Sequence, residues 1–257
     1  MNRQIPGLDE IYSENIPSEI HLSSTSRMKL FCIPFSGGNA YSYTDFNKYL
    51  PKEIDLINLE LPGRGKRIAE DLLSNIDAMT EDLFRQIEFH IKGNYALFGH
   101  SLGALLCFTL CRNIAMKKAN LPKYLFVSGQ TAPNLIKPDY RYSLPNDKFI
   151  EMLRQMEGTP EELLTDKSFI QFFLPIVKMD FQAIANYQHI PAKPFNVPIT
   201  VLLGRQENIT DEDAATWQME TTEEFAVHRF DGGHFFIFNQ TEEVCSLISE
   251  KIFFHNK

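Results

Sequence analysis

Gly99-His100-Ser101-Leu102-Gly103 lies between a short apolar run, Tyr95-Ala96-Leu97-Phe98, and a longer stretch, Ala104 to Ala115, that carries few helix breakers. The order is strand, sharp turn, helix. In such a turn the two glycines have a physical purpose, because side chains at the flanking positions would collide with the neighbouring strand and helix. Ser101 is thereby left exposed at a helix N-terminus, where backbone N–H groups and the helix dipole favour negative charge. These are the requirements of a serine nucleophile, and the amide of Leu102 falls where it can donate to a developing oxyanion. A five-residue pattern with three fixed positions also arises as an ordinary glycine turn, so its surroundings must carry the reading.

Upstream, Met28 to Pro34 is an apolar run that ends at Phe35-Ser36-Gly37-Gly38-Asn39, and Ile54 to Leu61 is another that ends at Pro62-Gly63-Arg64-Gly65. Both read as buried strands that deliver the chain into a loop of small residues. Between Asn75 and Ile91 the positions Ile76, Met79, Leu83, Ile87 and Ile91 recur at helical spacing, with Glu81, Asp82, Arg85 and Glu88 on other faces. Strand-like runs return at Tyr124–Val127, Ile199–Leu203 and Phe225–Phe230, and Val244, Leu247, Ile248 and Ile252 mark a closing helix. Strands alternating with helices imply a mostly parallel sheet with helices on both faces. From Leu144 to about Tyr187 the alternation stops and only helical patterns occur, among them Phe149, Met152, Leu153 and Met156, then Phe172, Phe173, Ile176 and Val177. An insertion of this kind lies at the carboxyl ends of the strands, where ligands bind, so it is expected to form a lid. No internal repeat or low-complexity segment is found.

A serine hydroxyl needs a base within hydrogen-bond reach, and seven histidines compete for that role. The elbow motif carries its partners in the order Ser, acid, His. His21 and His90 precede the serine, and His100 lies inside the turn. His189 and His228 lack a loop between strand and helix, and His255 is at the chain's end. His234, in Gly232-Gly233-His234-Phe235-Phe236 after the last strand, meets both conditions. For the acid the candidates follow Ile199–Leu203, and Glu207 is the one close after the strand. Asp211, Glu212 and Asp213 read instead as the opening turn of a helix, and capping is the expected role of Asp211. The second oxyanion donor must come from the loop after the first strand, where the Phe35 amide is the choice. The fold that assembles these parts is the α/β-hydrolase fold, here assigned to residues 28–257 with a lid insertion at about 144–187 and a polar leader at 1–27.

Lys plus Arg number 25 against 33 Asp plus Glu, a net charge of −8, which argues against a surface built for nucleic acid or anionic lipid. The leader lacks the apolar core of a signal peptide and no run of eighteen apolar residues occurs, so a cytoplasmic protein without a membrane span is expected. The four cysteines sit in apolar stretches without metal-ligand spacing and read as reduced small hydrophobes; no metal site is expected.

Taken together, the chain resembles the type II thioesterases, the stand-alone editing enzymes of nonribosomal peptide and polyketide synthesis. The likeness covers Phe31-Cys-Ile-Pro-Phe-Ser-Gly-Gly38, Glu60-Leu-Pro-Gly-Arg-Gly-Lys-Arg67, Phe98-Gly-His-Ser-Leu-Gly-Ala104, Gly158-Thr-Pro160, Leu174-Pro175 with Asp180-Phe181, Trp217, and Gly233-His-Phe-Phe236. The resemblance implies hydrolysis of acyl thioesters on carrier proteins of a synthase, without a cofactor of the enzyme's own, phosphopantetheine entering as part of the substrate. The working expectation is a monomer. Glu207 stands where the family usually has Asp, and its spacing to Trp217 is about one residue short, which keeps Asp211 in view as an alternative acid. An esterase or acyltransferase on a small acyl substrate, or a non-catalytic acyl-binding protein, would share the fold.

Overall fold

Successive residues of a strand face opposite ways, and in this chain both sets are apolar, so the sheet has to be covered twice. The computed structural model describes residues 27–156 and 158–254, which leaves the polar leader, apart from Arg27, outside the described residues. Six strands, β1 (Met28–Ile33), β2 (Ile54–Asn58), β3 (Tyr95–His100), β4 (Tyr124–Ser128), β5 (Ile199–Gly204) and β6 (Phe225–Phe230), form one sheet in the order β2-β1-β3-β4-β5-β6. Every pairing is parallel, where a mostly parallel sheet was expected.

Phe31, Leu97, Leu125 and Val201 pack on one face beneath α1 (Ile76–Ile87) and α2 (Leu102–Met116). Their neighbours Leu30, Phe98, Phe126 and Leu202 pack on the other, against the closing helix α8 (Thr241–Phe254). Helix α1 starts where the Asn75 side chain accepts the Ala78 N–H at 2.8 Å, and it buries Ile76, Met79, Leu83 and Ile87 along one stripe. Helix α2 is apolar nearly all round, as its central place requires.

Between β4 and β5 the chain builds α3 (Asn146–Gln155), α4 (Glu161–Thr165) and α5 (Lys167–Ala185), which share a core of their own around Phe149, Leu153, Leu164, Val177 and Phe181. This is the expected helical insertion. After β5 come α6 (Asp211–Ala215) and, past β6, α7 (Phe236–Asn239). Because all strands run the same way, the loops after β1, β3, β5 and β6 leave the sheet at one edge, and the site residues lie on them. Among the described residues no helix is long and apolar enough to cross a membrane.

Candidate active site

Ser101 holds φ 56° and ψ −117°, a backbone that a residue with a side chain rarely adopts. Its surroundings impose it. The Ser101 N–H donates to Ser128 O at the end of β4 (2.8 Å), while its carbonyl accepts from the Ala104 N–H (3.0 Å) in the first turn of α2. A Cβ at Gly99 would strike the backbone of Gly103, and one at Gly103 would strike the carbonyl oxygens of Ile33 and Pro34. The turn exists only with glycine at both places, and strain of this kind persists where the frame over-determines it. Leu102 opens α2, so no carbonyl within the helix can meet its amide.

His234 and Glu207 come together from the loops after β6 and β5. Nδ1 of His234 lies 2.6 Å from Oε1 of Glu207, and since a carboxylate only accepts, Nδ1 carries the proton and Nε2 is the free nitrogen. The two loops are laced by backbone bonds, Arg205 N–H to Phe230 O at 2.8 Å and Gln206 N–H to Gly232 O at 3.1 Å. The glutamate is itself fixed, because Oε2 accepts the Gly204 N–H at 2.7 Å. Glu207 is buried and His234 partly so, which lets the imidazole face a cavity while its partner stays dry.

Asp211 does something other than expected. It is the first residue of α6, but the cap is Thr210, whose hydroxyl accepts the Asp213 N–H while Asp213 returns the bond to the Thr210 N–H. The Asp211 carboxylate, largely exposed, pairs with Arg229. It makes no contact with His234. His189 pairs loosely with Glu220, far from the elbow in sequence and in packing, and His228 is a half-buried residue of β6. His21 and His255 lie outside the described residues.

His100 is buried beside the site. Its ring centroid is 4.7 Å from that of His234, and its Nδ1 lies 2.9 Å from Ser128 Oγ. Burial, and after it His234, push its pKa well below the usual histidine range, so it stays neutral.

Ser101, His234 and Phe35 line one cavity of about 620 Å³. Its far wall comes from the insertion: Leu153, Met156, Phe169, Phe173, Val177 and Phe181. Met152, one position round the helix from Leu153, does not line the cavity and packs, partly buried, against the insertion's own core. Buried on α5 is Asp180, part of the family likeness but without an expected role, joined to Arg64 at 2.7 and 2.8 Å. The signal was present: an acid three residues after Val177 falls on the apolar stripe and needs a partner.

A serine at a strained elbow, an imidazole held by a carboxylate and an apolar cavity against both define a serine-hydrolase site on an α/β-hydrolase fold. The sequence matches the Thioesterase domain family over residues 28–252, and the chain belongs to that family, whose members are hydrolases acting on thioesters. It is similar to the gramicidin S biosynthesis protein GrsT of Aneurinibacillus migulanus, 36% identical over 235 residues that make up 90% of this chain and 91% of that protein. Among solved structures it is similar to ClbQ from the colibactin nonribosomal peptide and polyketide pathway, with TM-score 0.85 and 30% identity, covering 90% of this chain and 99% of that one. The type II thioesterase BorB from the borrelidin biosynthetic cluster gives TM-score 0.81 and 29% identity, covering 88% and 93%. The resemblance to type II thioesterases read from the sequence is thus shown.

Proposed function

We propose that this thioesterase removes acyl groups from the phosphopantetheine arm of carrier proteins of a peptide or polyketide synthase, with Ser101, His234 and Glu207 as its triad. The observation that carries the triad is the 2.6 Å contact of Glu207 with His234 at the wall of the cavity that Ser101 also lines. The carrier and the editing role are supported by the relatives, which serve gramicidin S, colibactin and borrelidin synthesis.

In this reading Ser101 Oγ attacks the thioester carbonyl as its proton passes to Nε2 of His234, and the carbonyl pair moves onto an oxygen held by the Leu102 and Phe35 amides. Collapse breaks the C–S bond, the proton on His234 goes to the departing sulfur, and the acyl group stays on Ser101. Water repeats the sequence and frees the acid. Glu207 keeps the imidazole in the required tautomer and stabilises the imidazolium. A thiolate leaves readily, so the reading asks for no cofactor of the enzyme's own. It places the enzyme in the cytoplasm, where the synthases work, as a monomer.

The test compares one acyl group on a carrier protein, on N-acetylcysteamine and in an oxygen ester. The expected order of kcat/KM is carrier, then free thioester, then ester, and Ser101→Ala abolishes all three with an unchanged melting curve. Equal rates on carrier and free thioester would remove the carrier from the reading; turnover by Ser101→Ala would remove the nucleophile.

A further inference from the structure

The loop that follows β1 is held from outside by the insertion. Asp180, on α5, is fully buried, and its Oδ2 accepts the Gly37 N–H at 2.8 Å as well as an Arg64 N–H at 2.7 Å. Its Oδ1 takes the second arm of the guanidinium at 2.8 Å, completing a bidentate pair. Gly37 is two residues past Phe35 in a turn closed by the Gly38 N–H on Phe35 O at 2.8 Å, and it sits at φ +77°, a conformation that favours glycine. A Cβ there would lie 2.7 Å from both Phe173 and Val177 of α5, so helix and loop are in direct contact as well. On its other side the loop is tied to Glu60, which accepts the Ala40 N–H at 2.9 Å and the Lys66 N–H at 2.7 Å.

We propose that Asp180, with Arg64, is a positioning residue for oxyanion stabilisation: the Asp180 carboxylate fixes Gly37, and through that turn fixes the direction of the Phe35 amide. The inference rests on the assignment of Phe35 to the oxyanion hole. The arrangement has a physical logic. A carboxylate that serves only to pair with Arg64 would not need a backbone amide on the same oxygen, and a buried ion pair adds little stability over apolar residues of similar volume. What it does supply is a rigid acceptor at one point on a loop rich in glycine. Because Phe173 and Val177 also line the cavity, the acyl wall and the loop are carried by one helix.

Two matched double variants separate positioning from stability. Arg64→Met/Asp180→Leu removes both charges and the acceptor; Arg64→Met/Asp180→Asn removes both charges but leaves an oxygen for Gly37. Both are assayed with hexanoyl-N-acetylcysteamine and by binding of hexylboronic acid, which forms a tetrahedral adduct with the serine. The Leu variant is expected to lose on the order of 10² in kcat with KM changed less than about threefold, and to lose boronate affinity by the factor lost in kcat/KM. The Asn variant, the less stable of the two because it buries an unpaired amide, is expected to recover most of kcat. A purely structural pair would give the reverse ranking, with activity following melting temperature. Wild-type kcat in the Leu variant overturns the proposal, and so does failure of both variants to fold at 10 °C. If boronate binds Ser101→Ala as tightly as the wild type, it forms no serine adduct, and the nucleophile assignment on which the oxyanion hole depends fails and takes the clamp with it; Ser101-dependent binding that is equal in the wild type and the Leu variant overturns the clamp alone.

Discussion

Glutamate is one methylene longer than aspartate, and at position 207 the extra length is absorbed by a fold-back. The Glu207 N–H closes a turn on Gly204 O at 3.2 Å, and the side chain reverses over that turn so that Oε2 meets the Gly204 N–H and Oε1 is left for His234. Glu207→Gln keeps the shape but replaces a pure acceptor by an amide, and loss of the orienting charge should lower kcat by about 10³ to 10⁴. Asp211→Asn, which touches only Arg229, should stay within about twofold in the same assay. If the Asp211 variant is the inactive one, the triad is misassigned. The neighbouring His100 gives a prediction in pH. Its folded pKa is depressed, so below the ordinary histidine value of about 6.5 the unfolded chain binds a proton that the native protein does not. Its contribution is present in full above that value and is lost as pH falls beneath it. Melting temperatures measured from pH 7.5 to 5.5 should therefore drop more steeply in the wild type than in His100→Asn; parallel curves would show that His100 takes up its proton in the native state.

At the scale of elements, strands and elbow were legible because most apolar runs end at or next to Gly or Pro, and the boundaries fall within a few residues of those expected. The insertion was legible as helical, yet which of its side chains reach the cavity was not. Rotation about α3 by one residue, 100°, exchanges Met152 for Leu153, and the sequence carries no mark of which stripe faces inward when both are apolar. The buried Arg64–Asp180 pair was missed for a related reason: its partners are 116 residues apart and only the fold brings them together. The distinction between wall and core can be measured. Met156→Ala opens the cavity and should shift the best substrate of a C2 to C10 acyl-thioester series towards longer chains. Met152→Ala should leave that ranking alone and lower stability by about 1 kcal/mol, the cost of trimming a side chain partly buried against the insertion's core. A shifted ranking in the Met152 variant would mean that the insertion's core yields to substrate.

For the whole molecule, the parallel sheet is what turns a sequence order into a site, since Phe35, Ser101, Glu207 and His234 follow four different strands and meet only because all four end at one edge. That edge was predictable from strand–helix alternation; the lacing of the Glu207 loop to the His234 loop was not, because backbone bonds between loops leave no residue-type signature. The same two-faced construction makes the cysteines a probe of the fold. Cys107 and Cys111 lie in the core on the α1–α2 side, Cys32 and Cys245 in the core on the α8 side, and all four are buried and free. Burial raises each thiol's pKa, that of Cys245 to about 12, so the reactive thiolate is scarce at pH 8 as well as shielded. A disulfide reagent should thus label none of them in the native protein. With denaturant, all four should react in a single phase that coincides with loss of the far-ultraviolet helical signal, because either face of the sheet opens only when the other does. If Cys245 reacts well before the other three, α8 detaches on its own, and the two faces are separate cooperative units.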